Sequence, residues 1–410
     1  MRRILIVGAG QSGLQLALGL RADGYDVTLV SARTPDDLRA GRPLSTQGMF
    51  HDALETERAL GLDLWEGRAP AFEGFRVTLS APPGPPALAF NARLSRPGQS
   101  VDQRLKMAAW LELAERRGVT VEYRAVGTGE LADLAARHDL TVVAAGKGDL
   151  VSVFARDPRR SVHDAPQRAL AVAYVHGLAP DPDFPAPHIG FHAVPGLGEL
   201  VVVPALTLSG PCDILFWEAV PGGPLDRWAG PGPIGPGEHL ATTLELASRY
   251  VPWVAERAGA VELTDDRATL YGRFAPVVRE PVARLDGDAV VLGMADVVVA
   301  NDPITGQGSN TAAKCATAYR AAIRERGGRP FDEGWMRATA EAFWSSTARP
   351  VTDWTNAMLQ PLPPHVQRIL GAAAGNPVVA TRFADGFCDP ADLEEWFLAP
   401  EAAERYLASV

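Results

Sequence analysis

Cysteine is scarce in this 410-residue chain: Cys212, Cys315 and Cys388 are the three, far apart and odd in number. Neither a disulfide framework nor a zinc knuckle follows from them, and a reducing cytoplasm is the expected location. Long hydrophobic runs are missing as well. No stretch approaches the ~20 uncharged apolar residues of a membrane span. The apolar run at residues 4–7 meets Gly8 at once, too short for a signal peptide. Lysine is nearly absent, with only Lys106, Lys147 and Lys314 among 39 basic residues. Beside so much Ala, Gly and Pro, that imbalance points to a GC-rich coding sequence rather than to a phosphate-binding surface. A net charge of −10 argues against nucleic acid as a main partner. What is present is apolar material in ordinary proportion, 47% hydrophobic against 21% charged, enough to offset chain entropy. At about 150 residues per domain, two or three domains are expected.

Residues 2–7 form a β-type apolar run ended by Gly8-Ala9-Gly10-Gln11-Ser12-Gly13. A helical pattern through Leu14, Leu16, Ala17, Leu18 and Leu20 closes at Asp23-Gly24, and 26–30 reads as a second strand. The chain therefore opens on a βαβ unit. Residues 51–62 and 101–117 predict helices, the second strongly amphipathic. Residues 119–123 and 140–145 predict strands, while 70–99 reads as Pro-rich turns and short alternating segments. From 168 to 220 the period changes: 169–175, 200–206 and 214–220 are strands between Gly/Pro turns, which suggests an antiparallel sheet. Helix returns at 238–257, a buried strand at 289–292, a loop entering a helix at 306–322, and aromatic-rich helical text from Trp335 onward. The expected architecture is α/β. A Rossmann-like nucleotide-binding domain (1–165 and 285–330) is interrupted by an antiparallel β-sheet substrate-binding domain (166–284) and followed by a helical C-terminal segment (331–410).

Gly8-x-Gly10-x-x-Gly13 directly after a strand and opening a helix is a dinucleotide fingerprint in its proper context. Gly8 allows the tight turn, Gly10 lets backbone approach a pyrophosphate, and Gly13 lets helix and strand pack closely. Gln11 and Ser12 open the helix whose N-terminus faces the phosphates. Three glycines in an ordinary βα turn are the plainer alternative. The ribose-binding acid expected about 20 residues on is missing: the stretch reads Val30-Ser31-Ala32-Arg33. Ser31 and Arg33 would have to serve, which predicts a loosely held adenine half; an Arg there can also mark a 2′-phosphate.

The segment Val291-Leu292-Gly293-Met294-Ala295-Asp296 delivers an acid, Asp296, that can accept from ribityl hydroxyls. Asp302-Pro303-Ile304-Thr305-Gly306-Gln307-Gly308-Ser309-Asn310 then presents backbone N–H groups at a helix start, suited to the negative N1/C2=O edge of a reduced flavin. A helix-capping turn without a ligand is the alternative. With Gly8–Leu14, Arg42-Pro43-Leu44-Ser45-Thr46, Ser100-Val101-Asp102-x-Arg104, Gln167-Arg168-Ala169-Leu170 and Asp353-Trp354-Thr355-Asn356, these stretches span nearly the whole chain. The sequence resembles flavoprotein monooxygenases with the FAD fold of the glutathione-reductase type. More narrowly it resembles the styrene/indole monooxygenase family of two-component epoxidases. Two features depart from the pattern: the usual Gly-Asp pair is Ala295-Asp296, and the Asp-Gly motif tied to NAD(P)H binding in single-component hydroxylases has no match after Gly146.

The resemblance implies FAD, supplied as FADH2 by a separate flavin reductase. It further implies reaction with dioxygen to a C4a-hydroperoxyflavin that epoxidises a small aromatic alkene, in a homodimeric protein. Cofactor contacts would come from Gly8, Gly10, Gln11, Ser12, Gly13, Ser31, Arg33, Arg42, Arg104, Asp296, Gly306, Gln307, Gly308, Ser309 and Asn310. Ser45, Thr46 and Gln47 would take the catalytic positions. Met49, Phe72, Phe75 and Pro303 would line the substrate pocket. Styrene-type members are expected to carry Asn, Val and His where this chain has Ser45, Gln47 and Met49, the indole-type set, so indole is the better expected substrate and styrene a second one. A single-component aromatic hydroxylase and a non-catalytic FAD-fold escort protein are the rival readings. No metal is expected: His188 and His192 lack an acidic third ligand nearby in sequence. There is also no Gly-x-Ser-x-Gly elbow. Trp335, Phe343, Trp344 and Trp354 have near-helical spacing and read as core.

Overall fold

The computed structural model describes residues 2–44, 48–82, 84–146, 148–229 and 234–410. Six strands form the first sheet, in the order Val282–Arg284, Val290–Gly293, Leu140–Val143, Arg3–Val7, Asp26–Ser31 and Thr120–Tyr123. All neighbours are parallel except the first pair. A parallel strand is covered on both faces and so reads as an unbroken apolar run; Ile4, Leu5 and Ile6 are fully buried. Helices Gln11–Ala22 and Gly308–Arg326 pack together beside this sheet.

The second sheet has nine strands and is mostly antiparallel, with the order Glu262–Leu263, Ala169–His176, Gly210–Ala219, Gly198–Thr207, Ile189–Val194, Ala71–Leu79, Leu88–Ser100 and Gly48–Met49; Thr269–Gly272 also pairs with Ala169–His176. Period-2 alternation gives it two apolar faces. Val172, Tyr174, Ile214 and Phe216 join one core with the C-terminal aromatics. Ala171, Ala173, Leu215 and Trp217 join another with Trp228 and helix Pro236–Tyr250. The sheet is thus clad on both sides.

Two expectations need correction. The stretch 70–99, read as turns and short segments with the nucleotide-binding part, forms two long strands that pair into the second sheet. Its alternating residues place Phe72, Phe75, Phe90 and Ala92 in the shared core, and Gly74 relieves a register shift where a Cβ would lie 2.3 Å from the Ala92 carbonyl oxygen. Helix Gln103–Arg116, expected to be amphipathic, buries Arg104 and Lys106 as well as its apolar residues. The C-terminal part is helical as expected. Glu333–Phe343 and Arg349–Met358 are joined by a π-helical turn at Trp344–Ala348. Pro364–Ala373, Pro377–Asp385 and Pro400–Leu407 each begin on a proline, whose fixed φ suits a first helical position.

Candidate functional site

The carboxyl ends of three neighbouring parallel strands, Arg3–Val7, Leu140–Val143 and Val290–Gly293, bring Gly8, Ala144–Gly146 and Ala295-Asp296 side by side. Ligands of open α/β sheets bind at this end. The three fingerprint glycines have different reasons to be glycine. Gly8 has φ +120°, and a Cβ on it would lie 2.6 Å from the Ala144 carbonyl carbon. A Cβ on Gly13 would lie 1.9 Å from the Gly8 carbonyl oxygen. Gly10 has φ −87° and ψ −170°, open to any residue, and no atom lies within 4 Å of where its Cβ would be. Packing explains Gly8 and Gly13 but not Gly10, above which the space is open.

Helix Gln11–Ala22 has no side-chain cap at its N-terminus, and neither does Gly308–Arg326. Their first N–H groups are left for a ligand or water. Gly306 has φ +62°, and both it and Gly308 are exposed, with open space at their Cβ positions. The residues therefore fit FAD: an uncapped helix for the pyrophosphate, the exposed Asp296 beside Gly146 for hydroxyls, and a second uncapped helix for a negative ring edge.

Other expected contacts are placed differently. Gln11 is buried, and its Nε2 donates to Glu57 Oε1 at 2.9 Å and Gln15 Oε1 at 3.0 Å. Ser12 is buried as well. The Ser31 hydroxyl donates to the Arg33 carbonyl oxygen at 2.6 Å, closing its own turn. Arg33 is half-buried, and burial pushes its guanidinium pKa down, partly offset by Asp37. Arg42 is exposed. Arg104, expected at the cofactor, is 1% exposed. Its donors go to Asp102 (2.9 Å), Asp265 (2.9 Å) and Thr207 (3.2 Å), so it ties a helix start to the second sheet. Gln307 Nε2 donates to the Phe387 carbonyl oxygen at 3.0 Å. Asn310 Nδ2 donates to the Gly48 and Gly306 carbonyl oxygens at 2.8 and 3.1 Å, and its Oδ1 accepts from Phe50 N–H at 2.8 Å. Ser309 is partly buried at the start of its helix.

Ser45, Thr46 and Gln47 lie outside the described residues. Of the expected pocket residues, Phe72 and Phe75 both point inward, packed with Phe50 and beside Phe387, whose ring centroid is 4.3 Å from that of Phe75. Trp354 stands edge-on to Phe387 at 4.8 Å, and its buried Nε1–H has no partner among the described residues. Pro303 is partly exposed in the turn Pro303–Thr305, which helix Arg349–Met358 backs through a Thr305–Thr355 hydroxyl contact of 2.7 Å. Met49 is buried apart from these rings, with Ala53, Leu54 and Ala313. Phe50 and Phe387 were not foreseen; an isolated Phe carries no motif. His192 is buried, with Nδ1 2.8 Å from the Thr78 hydroxyl, and burial pushes its pKa down to about 3. Among the described residues no group of three or more His, Cys, Asp or Glu is arranged to hold a metal ion, and no helix is long and apolar enough to cross a membrane.

Two residues of the second loop have testable energetics. Ala295 is the one non-glycine with positive φ among the described residues, at +51°. A left-handed L-residue costs roughly 1–2 kcal/mol, and glycine adds about 0.4–1 kcal/mol of unfolded-state entropy. Ala295→Gly should therefore raise stability by roughly 0.5–1 kcal/mol in urea unfolding; a loss would remove strain as the account of this turn. Asp302 is buried and accepts from Ile304 N–H at 3.2 Å. Burial pushes its pKa up to about 6, opposed by that N–H and by Arg168, while an unfolded Asp titrates near about 3.9. Between those values the folded state binds the extra proton, so this group's contribution to stability falls as pH rises through the window. Asp302→Asn retains an acceptor at the cap. It should flatten that part of the pH profile and be more stable than the parent above pH 7 by on the order of 2 kcal/mol.

Residues 146–257 match the family model described as "Styrene monooxygenase A putative substrate binding domain". Over 409 residues the chain is 31% identical to the styrene monooxygenase StyA of Pseudomonas fluorescens, covering 98% of this chain and 96% of that one. It is 30% identical over 406 residues to the StyA of a Pseudomonas sp, with the same coverage. Among solved structures, the flavin-dependent brominase Bmp2 superposes with a TM-score of 0.67 over 100% of both chains at 17% identity, a likeness of fold.

Proposed function

The chain belongs to the styrene monooxygenase family and is a flavin-dependent monooxygenase, and from that premise we propose that it is the oxygenase component of a two-component system, taking reduced FAD from a separate reductase to epoxidise an aryl alkene or indole. The observation that carries this reading is the grip on the adenine half. Strand Asp26–Ser31 ends without a carboxylate, and its Ser31 hydroxyl is bound to Arg33. A ribose held without a chelating acid suits a cofactor that arrives and leaves with each turnover.

Bound reduced FAD supplies the two electrons with which one atom of dioxygen is passed to the alkene and the other leaves as water. The chain holds and shields that chemistry. Gly10 and the uncapped helix at Gln11 would receive the pyrophosphate, with Arg42 and Arg33 as nearby cations. Asp296 would accept from ribityl hydroxyls, and the N–H groups after Gly306 would face the ring. Asn310 joins strand Gly48–Met49 to the cofactor loop through the Gly48 and Gly306 carbonyl oxygens. Phe72, Phe75, Phe50 and Phe387 would form an apolar wall that excludes water. Met49 sits behind this wall and acts through the packing of Gly48–Met49. Ser45, Gln47 and Met49 favour indole over styrene.

The test is turnover without nicotinamide. Ligand-free protein mixed with chemically reduced FAD, indole and air should give indigo or other indole-derived products above a protein-free control. Styrene in its place should give its epoxide at a lower rate. Product formed only with oxidised FAD plus NAD(P)H would overturn the two-component reading in favour of a single-component hydroxylase.

A further inference from the structure

Arg168, in one of the stretches shared with the family, makes no contribution to the site described so far. Its guanidinium donates to Glu199 at 2.6 and 3.4 Å, and the charges of Glu218 and Asp302 act on it as well. Glu199 and Glu218 stand directly opposite each other on neighbouring antiparallel strands, so their side chains share one face. All four residues are buried, Glu218 with 1% of its surface exposed. Among the described residues neither Glu218 oxygen meets a donor; across the strands from it stands the carboxyl of Glu199. Asp302, buried at the start of the turn that carries Pro303–Thr305 and Gly306, acts on Arg168 and Glu218 through its charge. Among the described residues, the charges that act on the three carboxyls are Arg168 and the carboxyls themselves.

One cation and three buried carboxyls cannot all be ionised at low cost. Arg168 serves Glu199, and a proton shared with Glu199 would give Glu218 the donor it lacks among the described residues. Burial and the charge of Glu199 push Glu218 well above the carboxylate range, the direction that favours a proton on the pair. Asp302, pushed up to about 6, is the member that exchanges near neutrality. Reduced FAD is an anion at its N1 edge, and the loop that would face that edge begins at Asp302.

We propose that Arg168, Glu199, Glu218 and Asp302 form one buried proton-holding unit beneath loop 302–308, in which the Glu pair keeps a fixed proton and Asp302 takes up a second from solvent when anionic reduced flavin binds above it. The balance of the reaction calls for such a proton: anionic reduced FAD, dioxygen, alkene and one proton give FAD, epoxide and water. Asp302 is then a positioning residue that offsets the incoming charge. This inference rests on the proposed use of free reduced FAD.

The test is anaerobic calorimetry of the ligand-free protein with chemically reduced FAD, run in two buffers of different ionisation enthalpy at pH 7. A new like charge nearby raises a carboxyl pKa by about 1, so wild type should take up on the order of half a proton per flavin, and Asp302→Asn close to none. Infrared spectra of ligand-free protein should show a protonated-carboxyl band at pH 7 that Glu218→Gln removes; a neutral amide in place of a neutral acid leaves the fold intact. Flavin binding with undiminished uptake in Asp302→Asn, or no band lost in Glu218→Gln, overturns the proposal alone. No binding heat at all overturns both it and the two-component reading.

Discussion

Lys106→Ala is expected to cost about 3–5 kcal/mol of unfolding free energy, because it leaves a buried carboxylate without its partner. Lys106 Nζ meets Glu57 Oε1 at 2.5 Å, with side-chain exposures of 4% and 3%. The same oxygen accepts from Gln11, which donates on to Gln15, and Gln15 Nε2 reaches the Thr56 hydroxyl at 2.9 Å and the Ala313 carbonyl oxygen at 3.2 Å. One ion pair thus sits behind the N-terminus of the fingerprint helix and joins helices His51–Arg58, Gln103–Arg116 and Gly308–Arg326 to it. An arginine would bring five donors in a rigid fork to a place where the lysine meets a single carboxylate oxygen. Replacing both partners, Lys106→Met with Glu57→Leu, should recover most of the loss, since an apolar pair of similar volume needs no desolvation. Guanidinium unfolding of the three variants decides it; a single-variant cost below about 1 kcal/mol would show that water reaches Glu57.

The second large effect separates two glycines three residues apart. Gly13→Ala drives a methyl into the Gly8 carbonyl oxygen at 1.9 Å. Overpacking against backbone costs at least about 1–3 kcal/mol, and here neither helix nor strand can move without unseating the turn. Gly10→Ala meets nothing and demands no unusual backbone angle, so its stability should stay within about 0.5 kcal/mol of the parent. Its affinity for reduced FAD should nevertheless fall by more than about tenfold, some 1.4 kcal/mol, because the methyl occupies the cradle. Thermal unfolding and anaerobic flavin titration read the two quantities apart. Unchanged flavin affinity in Gly10→Ala would mean that the pyrophosphate does not lie over this turn.

The parts legible in the sequence were those whose chemistry is local. The glycine fingerprint, the Asp302–Asn310 loop and the buried strands announce themselves because turn geometry and apolar runs are properties of neighbouring residues. Ala295 was visible as a departure, and the left-handed φ gives the reason that glycine usually stands there. Arg104 was misjudged since its partners, Thr207 and Asp265, lie more than a hundred residues away. Residues 70–99 were misread because prolines and glycines masked alternation that only pairing with Ile189–Val194 makes plain. The aromatic wall, the Lys106–Glu57 pair and the carboxyls around Arg168 were illegible for the same reason: each is assembled from elements far apart in the chain.

Strand Ala71–Leu79 lies in register with Ile189–Val194, across more than a hundred intervening residues. An exchange between relatives that carries over only residues 166–284 would therefore cut the larger sheet down its middle. The recipient's own strands over 48–100, carrying Phe72 and Phe75, would have to pair with a foreign 189–194 strand, and a mismatched joint leaves both edges open to pairing with other molecules. Inheritance of substrate preference by recombination should then follow breakpoints that move residues 48–100 together with 166–284. Laboratory shuffling that respects this pairing should yield soluble hybrids where single-block swaps aggregate.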